Sequence, residues 1–374
     1  MPHFTYASAY VSVKLFAVDE RLLHTPARFR WSISINKMSY EFSGRTIFVL
    51  GAPRSGTTWL AKIFDSHPGV IYRHEPDILD RGEDLPFIFN PGEAAAYTRR
   101  AEDYLNALVQ IRKLKTAGTW PVLAKSYHTP LETLERKALI TILKLAQQVP
   151  HLKNFANSVT IPDFMPLATG AWDKLVLKSV SSMGRAGVFA AAAPESRFIV
   201  IVRHPCGQVE SMLRGIRSDQ FEEQVPLMGI AQTPQAKRRG LTAEKLAKLS
   251  ITAKLAWSWV VQNEMAMEGL AGAKHAKTVR YLDLAKDPTE TAKALFEFCE
   301  LDWRPEVDAY LAASTQSSGR EGYYELKRDP VTSANKWRSR LTPEAIEEIC
   351  AIAQESEAGR MFGDAMPEEI ETER

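Results

Sequence analysis

The chain has 374 residues, 45% hydrophobic and 25% charged, with 47 Lys and Arg against 45 Asp and Glu, a net charge of +2. It is globular and long enough for a large core, built as one elaborated α/β domain or as a domain with a cap. The near-neutral balance gives no reason to expect nucleic acid or a membrane surface as partner, so an anionic ligand would have to be held by local charge. Cys206, Cys299 and Cys350 lie far apart without metal-type spacing, which suggests reduced thiols in a reducing compartment.

The first 40 residues are aromatic and basic without a clear period and read as a poorly defined extension; Met38, just ahead of the first strand, raises a later start as an alternative. No run approaches the length of a membrane span, and the N-terminus lacks the basic-then-apolar layout of a signal. Thr46 to Leu50 is a short β-rich apolar run, predicted as a buried strand. Gly51 to Thr58 then reads G-A-P-R-S-G-T-T, and Trp59, Leu60, Ile63 and Phe64 recur at helical spacing. Strand, Gly-bounded loop and helix together form a phosphate cradle, in which loop amides and a helix N-terminus face an anion. Arg54 adds a charge, and Ser55, Thr57 and Thr58 lie beside Gly56, which permits backbone angles that side chains block. The G-x-x-x-x-G spacing is that of a Walker A loop, but Thr57-Thr58 stands where Lys-Ser/Thr is needed, which argues against an ordinary ATPase or GTPase.

Pro53-Arg54-Ser55-Gly56-Thr57-Thr58-Trp59 resembles the 5′-phosphosulfate loop of the sulfotransferases, P-[RK]-S-G-T-T-W. After His67-Pro68-Gly69, Val70 to Arg73 is a second strand running into His74-Glu75-Pro76-Asp77, a bunching of titratable groups at a strand end, where open α/β sheets bind ligands. Carbohydrate-type sulfotransferases carry a similar Glu-Pro there, which makes Glu75 the first choice of general base and His74 the second; a solvated acidic turn is the plainer reading. Residues 80–170 show helical spacing over 94–115 and 131–148 between Pro-containing breaks, and read as an inserted helical cap over the acceptor site. Lys125 to His128, KSYH, is superficially similar to the Lys-Thr-His of the cytosolic enzymes, but its distance from the 3′-phosphate strand does not fit; His128 reads as a cap residue and a third candidate base.

Leu175 to Ser179 is the next strand, and Lys178-Ser179-Val180 is similar to the carbohydrate-type Lys-Ser/Thr-Val, which would set Lys178 against charge on the sulfuryl group. Phe198 to Val202 is an unbroken apolar run, a central parallel strand, and Pro205 suits a helix start. Arg203, Pro205 and Ser211 match the family's 3′-phosphate motif of Arg, Pro at plus two and Ser at plus eight, and an Arg can grip a phosphate bidentately. Lys237-Arg238-Arg239 reads most simply as a solvated basic face. Residues 248–267 form a long amphipathic helix whose Trp257 and Trp259 belong to the core. Residues 277–281 are a fifth strand, and Asp287 and Glu290 cap a following helix. The resemblance implies that Tyr281 reaches the adenine, that Trp59 stacks on the same base, and that Lys336 and Arg338 touch the 3′-phosphate.

The expected fold is α/β, a P-loop-like parallel sheet with helices on both faces, over residues 41–360, with 80–170 as the cap and 361–374 as an acidic tail. The resemblance implies sulfuryl transfer from 3′-phosphoadenylyl sulfate without a metal, with Glu75, His74, Lys178 and Arg54 as catalytic candidates. It leaves the acceptor open among a sugar, lipid or small alcohol hydroxyl and an amine. A cytoplasmic enzyme with no transmembrane segment and no nucleic-acid partner is expected. A P-loop phosphotransferase, which would need Mg²⁺ and a Walker B-like Asp, and a non-catalytic nucleotide-binding protein are the alternatives.

Overall fold

The computed structural model describes residues 42–89, 92–164, 171–218, 227–315 and 329–363. The extension over 1–40 and most of the acidic tail lie outside the described residues. Five strands, β1 (Thr46–Leu50), β2 (Val70–His74), β3 (Lys174–Ser179), β4 (Arg197–Val202) and β5 (Ala276–Arg280), form one parallel sheet in the order β2-β3-β1-β4-β5. Each strand begins and ends within one residue of its sequence-based bounds. The apolar runs are short and bounded by turns, and only burial on both faces satisfies such a run.

Alternation along the strands divides the core. Phe48, Leu50, Leu175, Leu177, Phe198 and Val200 pack on one face of the sheet. Ile47, Val49, Val176, Ile199, Ile201 and Val279 pack on the other. Helix α1 (Thr57–Ser66) covers the second face through Leu60, Ile63 and Phe64, whose ring stacks on Phe296 at 4.8 Å. On the first face lie α2 (Thr98–Gln110), α4 (Ala186–Ala192), α5 (Pro205–Arg217) and α6 (Ile251–Leu270), with α3 (Pro130–Ala146) further out. Helix α6 packs on α4, on α5 and on a C-terminal helix, Pro343–Gln354. Trp257 and Trp259 of α6 are both buried, as expected of core residues, because α6 is covered over most of its circumference.

The segment between β2 and β3 divides in two. Helix α2 runs over 98–110, shorter than its apolar spacing predicts, because Ala94–Tyr97 closes as a 3₁₀ turn and Ile111 is extended. Its Tyr104 and Leu105 belong to the main core. Residues 114–161 close a small core of their own around Ile140 and Leu143. Buried Arg73 at the end of β2 reaches into that region and binds Asp163 at 2.5 Å, with Arg112 and Arg136 each 3.9 Å from the same carboxylate.

Register fixes what comes together. Leu50 lies opposite Ser179 and Val200, and His74 lies opposite Lys178. The residues that follow β1, β2, β3 and β4 therefore share the carboxyl edge of the sheet, where open α/β sheets place ligands.

Candidate functional site

The loop after β1 is held in a fixed arch. Gly56 sits at φ 101° as the residue before α1, and a Cβ there would stand 2.4 Å from the Tyr281 ring, so the position needs glycine twice over. Arg54 is also left-handed, at φ 71°, an unusual conformation for a residue with a side chain. The first-turn amides of α1, at Thr57 and Thr58, precede any intrahelical acceptor. Ser55 is fully buried inside the arch, and its hydroxyl has no hydrogen-bond partner among the described residues. Buried polar groups are rarely left without a partner, so amides and an orphaned hydroxyl around one small space fit an anionic oxygen cluster.

Arg203, directly after β4, closes on this loop. One guanidinium nitrogen donates to the Arg54 carbonyl oxygen at 3.2 Å and another to the Ser333 carbonyl oxygen at 2.8 Å. Its buried Nε has no partner among the described residues, and its cation lies 5.1 Å from the Tyr281 ring centroid. Arg54 Nε donates in turn to the Ser211 hydroxyl, one helical turn and more along α5, at 3.0 Å. The two motifs, about 150 residues apart in sequence, thus meet in one cationic region beside Tyr281.

A second cluster stands at the ends of β2 and β3. Glu75 is left-handed at φ 46°, its amide donates to the Lys178 carbonyl oxygen at 2.8 Å, and its carboxylate is bonded to the Lys178 ammonium. Burial alone would raise the Glu75 carboxyl, but the Lys178 ammonium outweighs it and holds the group below its usual range. His74 lies with Nε2 3.8 Å from the Glu75 carboxylate and Nδ1 2.7 Å from the Tyr72 hydroxyl. Burial, assisted by Lys178, lowers its pKa to about 3, so the ring stays neutral through the physiological range. Beneath them, Asp77 accepts from the hydroxyls of Ser179 and Ser182, the latter at 2.7 Å. Burial raises the Asp77 carboxyl.

A protein-family model described as "Sulfotransferase family" matches residues 46–305, more than half of the chain. The chain belongs to the Sulfotransferase family. Carbohydrate sulfotransferase 2 from Mus musculus and that from Homo sapiens are each 23% identical to it over 348 residues. The match takes in 81% of this chain and 62% of the relatives' length. Among solved structures, the sulfotransferase domain from the curacin biosynthetic pathway aligns with TM-score 0.41 and 19% identity, covering 84% of this chain and 98% of that one. Mouse sulfotransferase SULT7A1 complexed with PAP aligns with TM-score 0.41 and 15% identity, covering 88% and 92%.

Within this sulfotransferase-family chain, Arg54 to Thr58, Arg203, Ser211 and Tyr281 share one region, and Glu75, His74 and Lys178 share the neighbouring strand ends. Tyr281 opens a helix, Tyr281–Lys286, rather than ending the strand, which turns its ring onto Gly56. Trp59 is buried in the core on α1, edge-on to Tyr281 at 6.0 Å, with its indole donating to the Ser314 hydroxyl at 3.2 Å. From the C-terminal segment the Ser333 carbonyl meets Arg203, while Arg338 is exposed over the Trp337 ring at 4.5 Å and Lys336 is half-buried beside it. Trp337 stacks on His204 at 4.5 Å and pins that segment to the end of β4.

His128 contacts the Asp163 carbonyl oxygen at 2.7 Å through Nε2, and Lys125 of the same tetrapeptide is committed to Asp65 at 2.8 Å. Sequence reasoning assigned no role to Asp77, Ser182 or Arg185. Arg185 is fully buried and donates to the carbonyl oxygens of Arg81, Gly82, Leu85 and Pro86, fixing the loop beyond Asp77. The only available signal was an arginine in a stretch otherwise rich in small apolar residues.

Proposed function

We propose that this protein transfers the sulfuryl group of 3′-phosphoadenylyl sulfate to an acceptor hydroxyl by in-line displacement, with no metal in the reaction. The observation that carries the reading is the meeting of the Gly51–Thr58 loop with Arg203 and Ser211, through Arg203 to the Arg54 carbonyl at 3.2 Å and Arg54 to Ser211 at 3.0 Å. A donor with phosphate at both ends of a ribose needs two anion sites a few ångströms apart. The loop amides, Ser55, Thr57 and Thr58 would take the 5′ end; Arg203 and Ser211 would take the 3′-phosphate. Tyr281, lying between loop and guanidinium, would flank the base.

Glu75 would accept the acceptor's proton. Its carboxylate stands ionised at this edge beside the Lys178 ammonium, while the His74 ring nitrogens face that carboxylate and the Tyr72 hydroxyl. Lys178 would lie against charge developing on the sulfuryl and leaving oxygens, with Arg54 assisting, so that catalysis is chiefly positioning and electrostatic stabilisation. The test is transfer of ³⁵S from labelled donor to a panel of alcohols in the presence of a chelator, beside equilibrium binding of adenosine 3′,5′-bisphosphate and adenosine 5′-phosphate. Transfer that survives the chelator, with strong preference for the bisphosphate, is expected. Equal affinity for the two nucleotides and no transfer would overturn the reading.

A further inference from the structure

Beside the loop, a cavity of about 360 Å³ opens between Pro53, the residues just after β3, and helices α5 and α6. Its size lies in the range of roughly 300–1,000 Å³ that encloses small-molecule ligands. Pro53 precedes Arg54 and Met212 follows Ser211, so the cavity adjoins the region assigned to the donor. None of its described lining residues is charged, and Met183, Met212, Ile216, Ile230, Val261 and Met265 dominate its walls.

Two polar side chains of the wall are bonded to each other and a third to backbone. Gln262 donates to the Ser258 hydroxyl at 2.7 Å, and the Thr233 hydroxyl donates to the Ile230 carbonyl oxygen at 2.7 Å while accepting from the Ala236 amide. Ser181, just beyond β3 and exposed, stands at the reactive end. The wall also includes Phe87, whose ring lies 3.9 Å from the Arg185 guanidinium that fixes the loop before it. The space is lined mainly by apolar side chains, and Pro53, Val180 and Ser181 bring its wall up to the catalytic edge.

We propose that the acceptor is an alcohol carried on an apolar body, an aliphatic chain or compact hydrocarbon frame seated in this cavity with its hydroxyl toward Ser181 and the strand ends. This rests on the sulfuryl-transfer reading. A free oligosaccharide, the acceptor class in the name of the curated relatives, presents several hydroxyls per ring. Buried among methionine and aliphatic walls, those hydroxyls would lose their water partners without replacement. Methionine walls adapt to varied apolar shapes, so a series of related alcohols should be accepted.

The test uses the full chain with labelled donor and primary alcohols from ethanol to 1-dodecanol, beside an N-acetylglucosamine-terminated oligosaccharide. Calorimetry of alcohol binding without donor accompanies it. The expected result is a rise in kcat/KM of about three- to fourfold per methylene until the cavity is full, then a plateau. Met265→Trp should move that plateau to shorter chains, with Ile216→Phe as a second filling variant if the first does not fold. Adenosine 3′,5′-bisphosphate affinity should stay unchanged in both.

Transfer to the oligosaccharide with no dependence on alcohol length overturns the proposal, as does a plateau that neither variant moves. If no acceptor is sulfated and the bisphosphate fails to bind, the donor reading is what has failed. Calorimetry then decides the cavity by itself: binding that does not tighten with chain length overturns it.

Discussion

Arg54 and Ser211, 157 residues apart in the chain, are joined by a hydrogen bond of 3.0 Å from Nε to Oγ. Neither residue is near the other by local structure: one lies in the arch after β1, the other on the helix after β4. They meet because β1 and β4 are neighbours in register, and because Arg203, at the end of β4, donates to the Arg54 carbonyl. A single anion placed against one motif is therefore within reach of the other.

From this contact, Arg203→Ala is expected to weaken binding of adenosine 3′,5′-bisphosphate about 100-fold while leaving adenosine 5′-phosphate within about threefold, since a charge-assisted contact is worth about 1.5–3 kcal/mol. Ser211→Ala should cost about tenfold with the same selectivity. Titration calorimetry of both nucleotides separates this from a folding defect. Equal losses for both nucleotides would remove Arg203 from the 3′-phosphate.

The bond between Glu75 and Lys178 leads to a split in kinetic constants. Glu75→Gln should lower kcat by about 10²–10⁴-fold with donor affinity nearly intact, the usual range for losing a positioned base. His74→Asn should retain kcat within about tenfold. If the two variants behave the other way round, the base is His74. Because the Lys178 ammonium holds the Glu75 carboxyl below its usual range, the acid limb of kcat/KM should fall below the ordinary glutamate value of about 4.3. Activity would then be lost as the pH falls through that lowered value, and not before.

His74 makes a stability prediction of the opposite chemical type but the same direction in pH. In the folded chain its pKa is about 3. In the unfolded chain it is about 6.5, so below that value the unfolded state binds a proton that the native state refuses. Its neutral burial is harmless above about pH 6.5 and increasingly destabilising from there down to about 3. His74→Asn should therefore flatten the fall in stability over that window by a few kcal/mol relative to the parent, read from urea midpoints at pH 7, 5 and 4. Parallel curves for variant and parent would show that the ring is solvated in solution. His67 and His128 are also lowered by burial, which is why the comparison must be with the parent.

The centre of the sheet was legible because β1, β3 and β4 are short, mainly apolar runs buried on both faces, a pattern with little else to become. The same holds for the arch, where glycines bracket a motif between strand and helix. What escaped reading were roles set by a distant partner and carried by no motif. Arg185 is fully buried and spends its donors on carbonyl oxygens a hundred residues earlier. Asp77 looked like one more turn acid, yet it is buried and accepts from two serines, one ending β3 and one just beyond it. Tyr281 was placed on a strand end, and a one-residue shift into a helix sets the face its ring presents. The cavity between α5 and α6 has no local signature at all, since its described walls come from six separate stretches of chain.

The buried triad of Lys62, Asp65 and Lys125 gives the last prediction, and it concerns the scaffold alone. Asp65 binds the Lys62 ammonium at 2.7 Å and the Lys125 ammonium at 2.8 Å, and all three residues are largely shielded from water. Burial opposes the Asp65 charge, but the two ammoniums outweigh it and bring its pKa to about 2. The stabilisation from this shift is present above the unfolded aspartate value of about 3.9 and disappears as pH falls toward 2. Asp65→Asn leaves two ammoniums without a counter-charge in a dry site, and should cost about 3–5 kcal/mol at pH 7. Replacing all three with apolar residues of similar volume should cost far less, because the desolvation penalty disappears with the charges. A single substitution that proves as mild as the triple replacement would mean that water reaches this site. In either variant, the fraction that folds should still bind adenosine 3′,5′-bisphosphate as tightly as the parent, since α1 would be anchored from its far end and the arch lies at its near one.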